Sequence, residues 1–514
     1  MAIRRAIAWA CTAALTTAAL AACGGTSGTS AAGGSTTAGA GTLSLGGLFS
    51  AVNFNPWLSP NGPNASLDYT TAVYDSLTSL TGPDTVGPDL ATAWTFTTPT
   101  TLRMTLRTGV TFSDGTPLDA AAVKANFDYA KTASPPGQLN AYVAGLTSTV
   151  ADPTTIQFTS PVPEPDLPYD FATGAGFIVS PKALAQPAGL ATTPDGSGPY
   201  TLSASGTITN QKYSFVRRTG YWNTAAFPYD SVALKIFSST QAMDDALRSG
   251  QIQVQQGTPT TDKADKAAGL NTLLGQQNTD VGIWLNDRSG SILKALGDVR
   301  VRQALNYAID RKTIMTAAFG TNGTASSLVV ASGEDGYAAN AAASYPYDPA
   351  KAKALLAEAG YGGGFTLPLL STQSGDLLAQ AVAGYLSAVG VTVKISDHNT
   401  DFVQQAFAGT WPSMVFEYST QPVAQAMAGL LSPKGFANPN HSTDPQIDAQ
   451  IGTALAASGT DRTTALNSLI ARVNDQAWFL MVGSYGLPYA TAKDVACTDL
   501  GALTCTLPSL RPAK

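Results

Sequence analysis

Charged side chains are scarce in this 514-residue chain: Asp, Glu, Lys and Arg together make up 12%, about half the usual ~25%. With 44% apolar residues, that scarcity argues against a disordered chain, which combines high charge with low hydrophobicity. The 29 Lys and Arg are scattered among 35 Asp and Glu, for a formal net charge of −6, so no basic footprint for nucleic acid exists. Histidine is scarcer still, with His398 and His441 far apart. That nearly removes multi-histidine metal chemistry and most histidine-based catalysis. A metal could enter only as a chelate bringing its own ligands, and no cofactor is expected. There is no G-x-S-x-G, no G-x-x-x-x-G-K-[ST] and no H-E-x-x-H, the patterns that would seat a nucleophile, a phosphate or a zinc ion. Ser291-Ile292-Leu293-Lys294 fits S-x-x-K, but Arg218-Thr219-Gly220, the imitation of K-T-G, precedes it in the wrong order. No enzyme is expected.

What is present begins with a processing signal. Arg4 and Arg5 form a positive start, and residues 6–19 are a mostly apolar or small run, too short and alanine-rich for a bilayer span of ~20 residues. It leads into Leu20-Ala21-Ala22-Cys23, which resembles a bacterial lipobox. Residues 1–22 read as a lipoprotein signal peptide and Cys23 as the lipidated new N-terminus, anchored stably by more than one acyl chain. Residues 24–41 are Gly, Ser, Thr and Ala only, so residues 23–41 form a flexible tether. Of four cysteines, only Cys497 and Cys505 then remain. In an oxidising compartment they read as a disulfide closing a short hairpin; two free buried thiols are the alternative.

The rest of the chain mixes strands and helices, and its length allows about three domain-sized units. Leu43 to Leu48 and the alternating Thr101 to Leu106 read as strands. Helical spacing covers Leu67 to Leu80. Ser113-Asp114-Gly115-Thr116-Pro117 is turn chemistry, and Asp119 can cap the helix that follows. A long helix is expected from Val299 to Phe319, another from Pro349 to Ala359, and a strand-helix-strand unit from Phe365 to Ile395. Asp310-Arg311 inside the long helix reads as a surface ion pair or a cap. Alternation of this kind argues an α/β chain of more than one lobe.

Several blocks carry a family resemblance. Pro88-Asp89-Leu90-Ala91 with Trp94, then Thr105-Leu106-Arg107-Thr108-Gly109-Val110-Thr111-Phe112-Ser113-Asp114-Gly115-Thr116-Pro117-Leu118, are similar to signatures of the large peptide/nickel-binding family (family 5) of ABC-importer extracytoplasmic solute-binding proteins. Gly196-Ser197-Gly198-Pro199-Tyr200 resembles its glycine-rich turn. Val299 to Arg311 (VRVRQALNYAIDR) and Asp348 to Tyr361 resemble two further blocks. The resemblance implies a type II periplasmic-binding-protein-like α/β fold of two lobes, with an extra α/β subdomain at about residues 70–160. A ligand cleft lies between the lobes. The first lobe would span residues 42–280, the second 281–478, and residues 479–514 would return to the first.

The resemblance also nominates a site. In peptide-binding relatives an acidic residue just before a Tyr holds the ligand ammonium; Glu417-Tyr418 occupies that place. A solvated or ion-paired strand residue is the other reading of Glu417, and the uncharged Ser419-Thr420-Gln421 that follows departs from the family pattern. Asn61, Asn64 and Tyr74 would be first-lobe contacts. Trp284, Asn286 and Trp411 read either as ligand contacts or as core. The function implied is a lipid-anchored receptor on the outer face of the cell membrane, monomeric, handing a small-molecule or peptide ligand to ABC permease subunits. The second function class is a sensory or cell-wall interaction lipoprotein on the same scaffold, without transport.

Overall fold

The computed structural model describes residues 41–513 apart from 49, 52, 59–68, 83–84, 135–138, 373–374, 399–400, 420–421, 436 and 501–503. Cys23 and the rest of residues 1–40 lie outside the described residues, as do Asn61 and Asn64.

Strand Thr101–Leu106 turns Leu102, Met104 and Leu106 inward and leaves Arg103 and Thr105 exposed, as its alternation predicts. It is a central strand of a four-stranded antiparallel sheet ordered Ala91–Thr98, Thr101–Leu106, Thr155–Thr159, Thr147–Asp152. Helix Ala120–Thr132 packs Val123 and Phe127 on this sheet's inner side, where Phe127 meets the rings of Phe158 and Phe171. Asp119 caps the helix, its carboxylate accepting the Ala122 amide at 2.8 Å. Replacing it with alanine should cost about 1 kcal/mol in urea unfolding.

A seven-stranded sheet lies in the order Asn271–Leu274, Pro488–Thr491, Val254–Gln256, Thr42–Gly47, Ser231–Ile236, Lys212–Arg217, Tyr200–Leu202. Its core residues, such as Leu43, Leu45 and Leu234, merge with those of the four-stranded sheet into one apolar cluster. A separate six-stranded sheet is ordered Gly323–Ala325, Phe479–Tyr485, Thr279–Leu285, Ser413–Ser419, Phe365–Ser371, Val391–Asp397. Both faces of this sheet are covered. Val281, Ile283 and Leu285 point into one apolar cluster, and Trp284 with Met414 into the other. Strand Thr279–Leu285 is therefore buried almost throughout, and from Val281 onward its sequence is a continuous apolar run rather than an alternating one.

Two expectations need correction. Among the described residues, helical spacing over Leu67 to Leu80 yields helix at residues 69–73, and Thr78–Gly82 is a strand. Tertiary pairing overrides the local pattern there, since the Leu77 amide donates to Gly176 O at 3.0 Å and the Ala91 amide to Leu77 O at 2.7 Å. The long helix divides into Val299–Tyr307 and Arg311–Phe319. Asp310 breaks it by capping the second piece, accepting the Thr313 amide at 3.1 Å. Arg311 makes no surface ion pair; it is 8% exposed. Strand Phe479–Tyr485 pairs within the six-stranded sheet, and Pro488–Thr491 within the seven-stranded one.

The glycine-rich turn has a steric reason. A Cβ on Gly198 would stand 2.5 Å from the Val73 carbonyl carbon and 2.6 Å from the Tyr74 nitrogen, closer than van der Waals contact allows. Gly198→Ala should destabilise by about 1–3 kcal/mol in denaturant titration through overpacking.

Candidate functional site

The two larger sheets are joined by a two-stranded ribbon. Leu274 pairs with Pro488 in the seven-stranded sheet and Thr279 with Tyr485 in the six-stranded sheet, so adjacent antiparallel strands pass from one to the other. Between the pairings, the Gly275 amide donates to Leu487 O at 2.9 Å, and a Cβ on Gly486 would lie 2.4 Å from Gly275 O. Only glycine allows the strands to come this close.

A cavity of about 530 Å³ opens beside this ribbon. Strands Thr42–Gly47 and Val254–Gln256 run parallel, and the ends of both, Gly46 to Leu48 and Gln255 to Thr258, contribute walls. Cavities outside the carboxyl ends of parallel strands are the usual ligand sites of open α/β sheets. Gln276 and Asn278 come from the ribbon, Ser419 from the second lobe, and Thr504 to Thr506 from the C-terminal segment. No wall residue named for this cavity carries a formal charge. Cys497 and Cys505 form a disulfide with Cα atoms 5.3 Å apart, which places Cys505 in the wall.

Glu417 stands two residues before Ser419 on the same face of its strand, opposite Val281. Water reaches its side chain, yet protein atoms surround the carboxylate, as on the wall of an open cleft. Burial raises its pKa, and the hydrogen bond donated by the Tyr485 hydroxyl to Oε2 at 2.7 Å opposes that rise. Tyr485 is held by Phe319, whose ring stacks on it at 4.2 Å. Among the described residues the charges acting on Glu417 include no arginine or lysine, so the carboxylate is available to a cationic partner.

The other nominated residues divide. Tyr418 points to the opposite face, its ring 6.3 Å from Trp284 and near enough to Tyr142 for the two hydroxyls to interact electrostatically. Trp284 is 1% exposed and packs on Phe416 at 4.2 Å; Asn286 is fully buried and its carbonyl accepts from Ser442 Oγ. Trp284 is a core position, because both faces of its strand are covered there; Asn286, one residue beyond the strand, is buried with its side-chain amide making no hydrogen bond among the described residues. Trp411 donates Nε1 to Gln405 and sits 5.7 Å from the His398 ring, at the end of strand Ser413–Ser419 remote from the cavity, about 20 Å away at ~3.3 Å per residue. Tyr74 is 2% exposed and packs near Phe177; Tyr69 is the aromatic of that segment that reaches the cavity. Sequence reasoning missed Tyr69 and Tyr485. A polar Ser484-Tyr485 closing an otherwise apolar strand was the available cue for the second. Among the described residues, no group of three or more His, Cys, Asp or Glu could hold a metal ion, and no helix is long and apolar enough to cross a membrane.

Comparison with known proteins agrees with this architecture. The chain is 31% identical over 304 residues to the glutathione-binding protein GsiB of Salmonella paratyphi A. The match spans 58% of this chain and 58% of that protein. The fold superposes on the ABC transporter substrate-binding protein CtaP of Listeria monocytogenes with a TM-score of 0.79 at 20% identity, covering 93% of this chain and 100% of that one. It also superposes on the periplasmic binding protein DppA of Helicobacter pylori, in complex with the peptide STSA, with a TM-score of 0.79 at 19% identity over 92% and 98% of the two chains. Residues 85–438 match the model of bacterial extracellular solute-binding proteins, family 5, middle region. With two lobes on a crossing ribbon and that match over more than half its length, the chain belongs to the family 5 bacterial extracellular solute-binding proteins.

Proposed function

We propose that this protein is the solute receptor of an ABC importer. It captures a peptide-like solute bearing a free amine between its lobes and passes it to permease subunits. In this reading it acts as a monomer without turnover, and lipid on Cys23 tethers it to the outer face of the cell membrane. The observation that carries the reading is the Glu417 carboxylate, without a lysine or arginine acting on it among the described residues, two residues along the same strand face from Ser419, which lines an interlobe cavity of about 530 Å³. A carboxylate on a cleft wall that is left without a counter-ion favours a ligand that supplies one through a charge-assisted hydrogen bond. The names of its relatives, a glutathione-binding protein and a binding protein in complex with the peptide STSA, support a peptide-like solute.

The test is a thermal-shift screen of the purified protein against di- to penta-peptides, amino-acid conjugates, oligosaccharides and metal chelates. Saturating ligand at ~100 Kd should add about 2.7 kcal/mol to the stability of the folded state, seen as a raised Tm with one class of amine-bearing solute. A flat screen, with no co-purified ligand released on denaturation and detected by mass spectrometry, would overturn the receptor reading.

A further inference from the structure

The lobes also meet through side chains outside the ribbon. Arg462, on second-lobe helix Gly459–Asp475, grips the carboxylate of first-lobe Asp166 with both terminal nitrogens, one at 2.6 Å from Oδ1 and the other on Oδ2. Beside this pair Gln425, on helix Val423–Leu431, donates Nε2 to Asp170 Oδ2 at 2.8 Å. Asp170 ends the short helix Leu167–Asp170 and is 3% exposed. Its other oxygen, Oδ1, is shut off from solvent and accepts no hydrogen bond. The titratable and charged groups facing it are Asp166 and Glu164 on its own segment, Arg462 from the second lobe and the Tyr142 hydroxyl from helix Asn140–Val143. Arg462 is already committed to Asp166. Among the described residues the contact thus gives Asp170 one neutral donor and no cation of its own.

We propose that Asp170 is a proton-binding site linked to lobe closure, the interlobe contact forming with Asp170 as the neutral acid and loosening when it ionises. An ionised carboxylate with one amide donor in a dry contact is far costlier than a neutral acid in the same place. Separating the lobes releases Oδ2 from Gln425, opens the carboxylate to water on that side and lowers that cost. Burial, joined by the like charges of Asp166 and Glu164, holds its pKa well above the ordinary carboxylate range, with Gln425 and Arg462 opposing. The sign follows from linkage. A group that binds its proton more tightly in the closed form favours closure below its open-form pKa, and that preference is lost as pH rises through the raised closed-form value. Each unit of difference is worth about tenfold in the closing equilibrium. This linkage holds whatever solute occupies the cavity.

Small-angle X-ray scattering of the ligand-free purified protein tests it at about pH 4.5 and about pH 8, on either side of a raised carboxyl pKa. The radius of gyration should be smaller at the lower pH. Asp170→Asn should remove the pH dependence and stay compact at both. Gln425→Glu places a second carboxyl against Asp170 and should move the transition to higher pH, since two close carboxyls hold one proton tightly. Circular dichroism melting establishes that each variant is folded; if Asp170→Asn is not, the Gln425→Glu shift decides. An unchanged radius in the wild type, an identical pH response in Asp170→Asn, or an unshifted transition in Gln425→Glu overturns the proposal.

Discussion

Glu417→Gln is expected to weaken binding of an amine-bearing solute by about 2–5 kcal/mol, the range found when one partner of a buried charge pair is removed, while leaving the Tm of the unliganded protein almost unchanged. The two expectations rest on different halves of the same geometry. Glutamine keeps the shape of the side chain and still accepts from Tyr485, whose hydroxyl lies 2.7 Å from Oε2. The unliganded fold therefore loses nothing it relied on, and it sheds a carboxylate whose pKa burial had raised. The ligand loses its counter-charge. Isothermal titration calorimetry with the solute identified by screening checks the first expectation, and thermal melting the second. Equal affinity in the variant and the wild type would remove Glu417 from the site. The pH dependence has a definite sign as well. An ammonium pairs with the ionised acid, so this contribution to affinity is present above the raised pKa of Glu417 and is lost as pH falls through it. That trend is opposite to the one expected for the Asp170 contact, so scattering of the empty protein and calorimetry of the loaded one report on separate groups.

Arg311→Met should unfold the protein at a markedly lower denaturant concentration, a loss of about 3–5 kcal/mol. The Arg311 guanidinium donates Nε to Met481 O at 2.8 Å, Nη1 to both Asn306 O and Tyr345 O at 2.9 Å, and Nη2 to Asn306 Oδ1 at 2.6 Å. These acceptors come from helix Val299–Tyr307, strand Phe479–Tyr485 and the segment before helix Pro349–Glu358. Methionine fills much of the volume but leaves the acceptors unpaired, each at about 1–3 kcal/mol before non-additivity. Arg311→Lys should recover only part of the loss, because a compact ammonium cannot reproduce the planar fork. Urea titration ranks the three proteins. A variant as stable as the wild type would show that the carbonyls find other donors.

The two-lobe α/β architecture was legible because its blocks are backbone devices that recur in order along the chain: a capping Asp119, a turn glycine at 115 with φ +84°, Asp348 before Pro349. Such devices act over a few residues, so a sequence displays them whole. The role of Arg311 was not legible in the same way. Its acceptors lie up to 170 residues away in the chain, and nothing local separates a buried carbonyl-binding arginine from a surface one. The same distance problem divides the site residues. Glu417 was found through the pattern around it, while Tyr485, which shapes its environment, comes from a strand 68 residues further on. Trp284 and Trp411 attracted attention as aromatics near the expected cleft. Which end of a strand faces the other lobe depends on sheet order, and that is a tertiary fact.

The ribbon at Gly275 and Gly486 has a temporal consequence. Two strands side by side define a line, where a single connection would define only a point, so the lobes turn about that line rather than swivelling freely. Under such a rotation the travel of any atom grows with its distance from the line. Cavity walls supplied by the ribbon itself, Gln276 and Asn278 among them, hardly move and stand ready before a solute arrives. Contacts far from the line form only afterwards. In the proposed receptor, recognition would therefore proceed in sequence, with the inner wall selecting the solute and the outer rims retaining it.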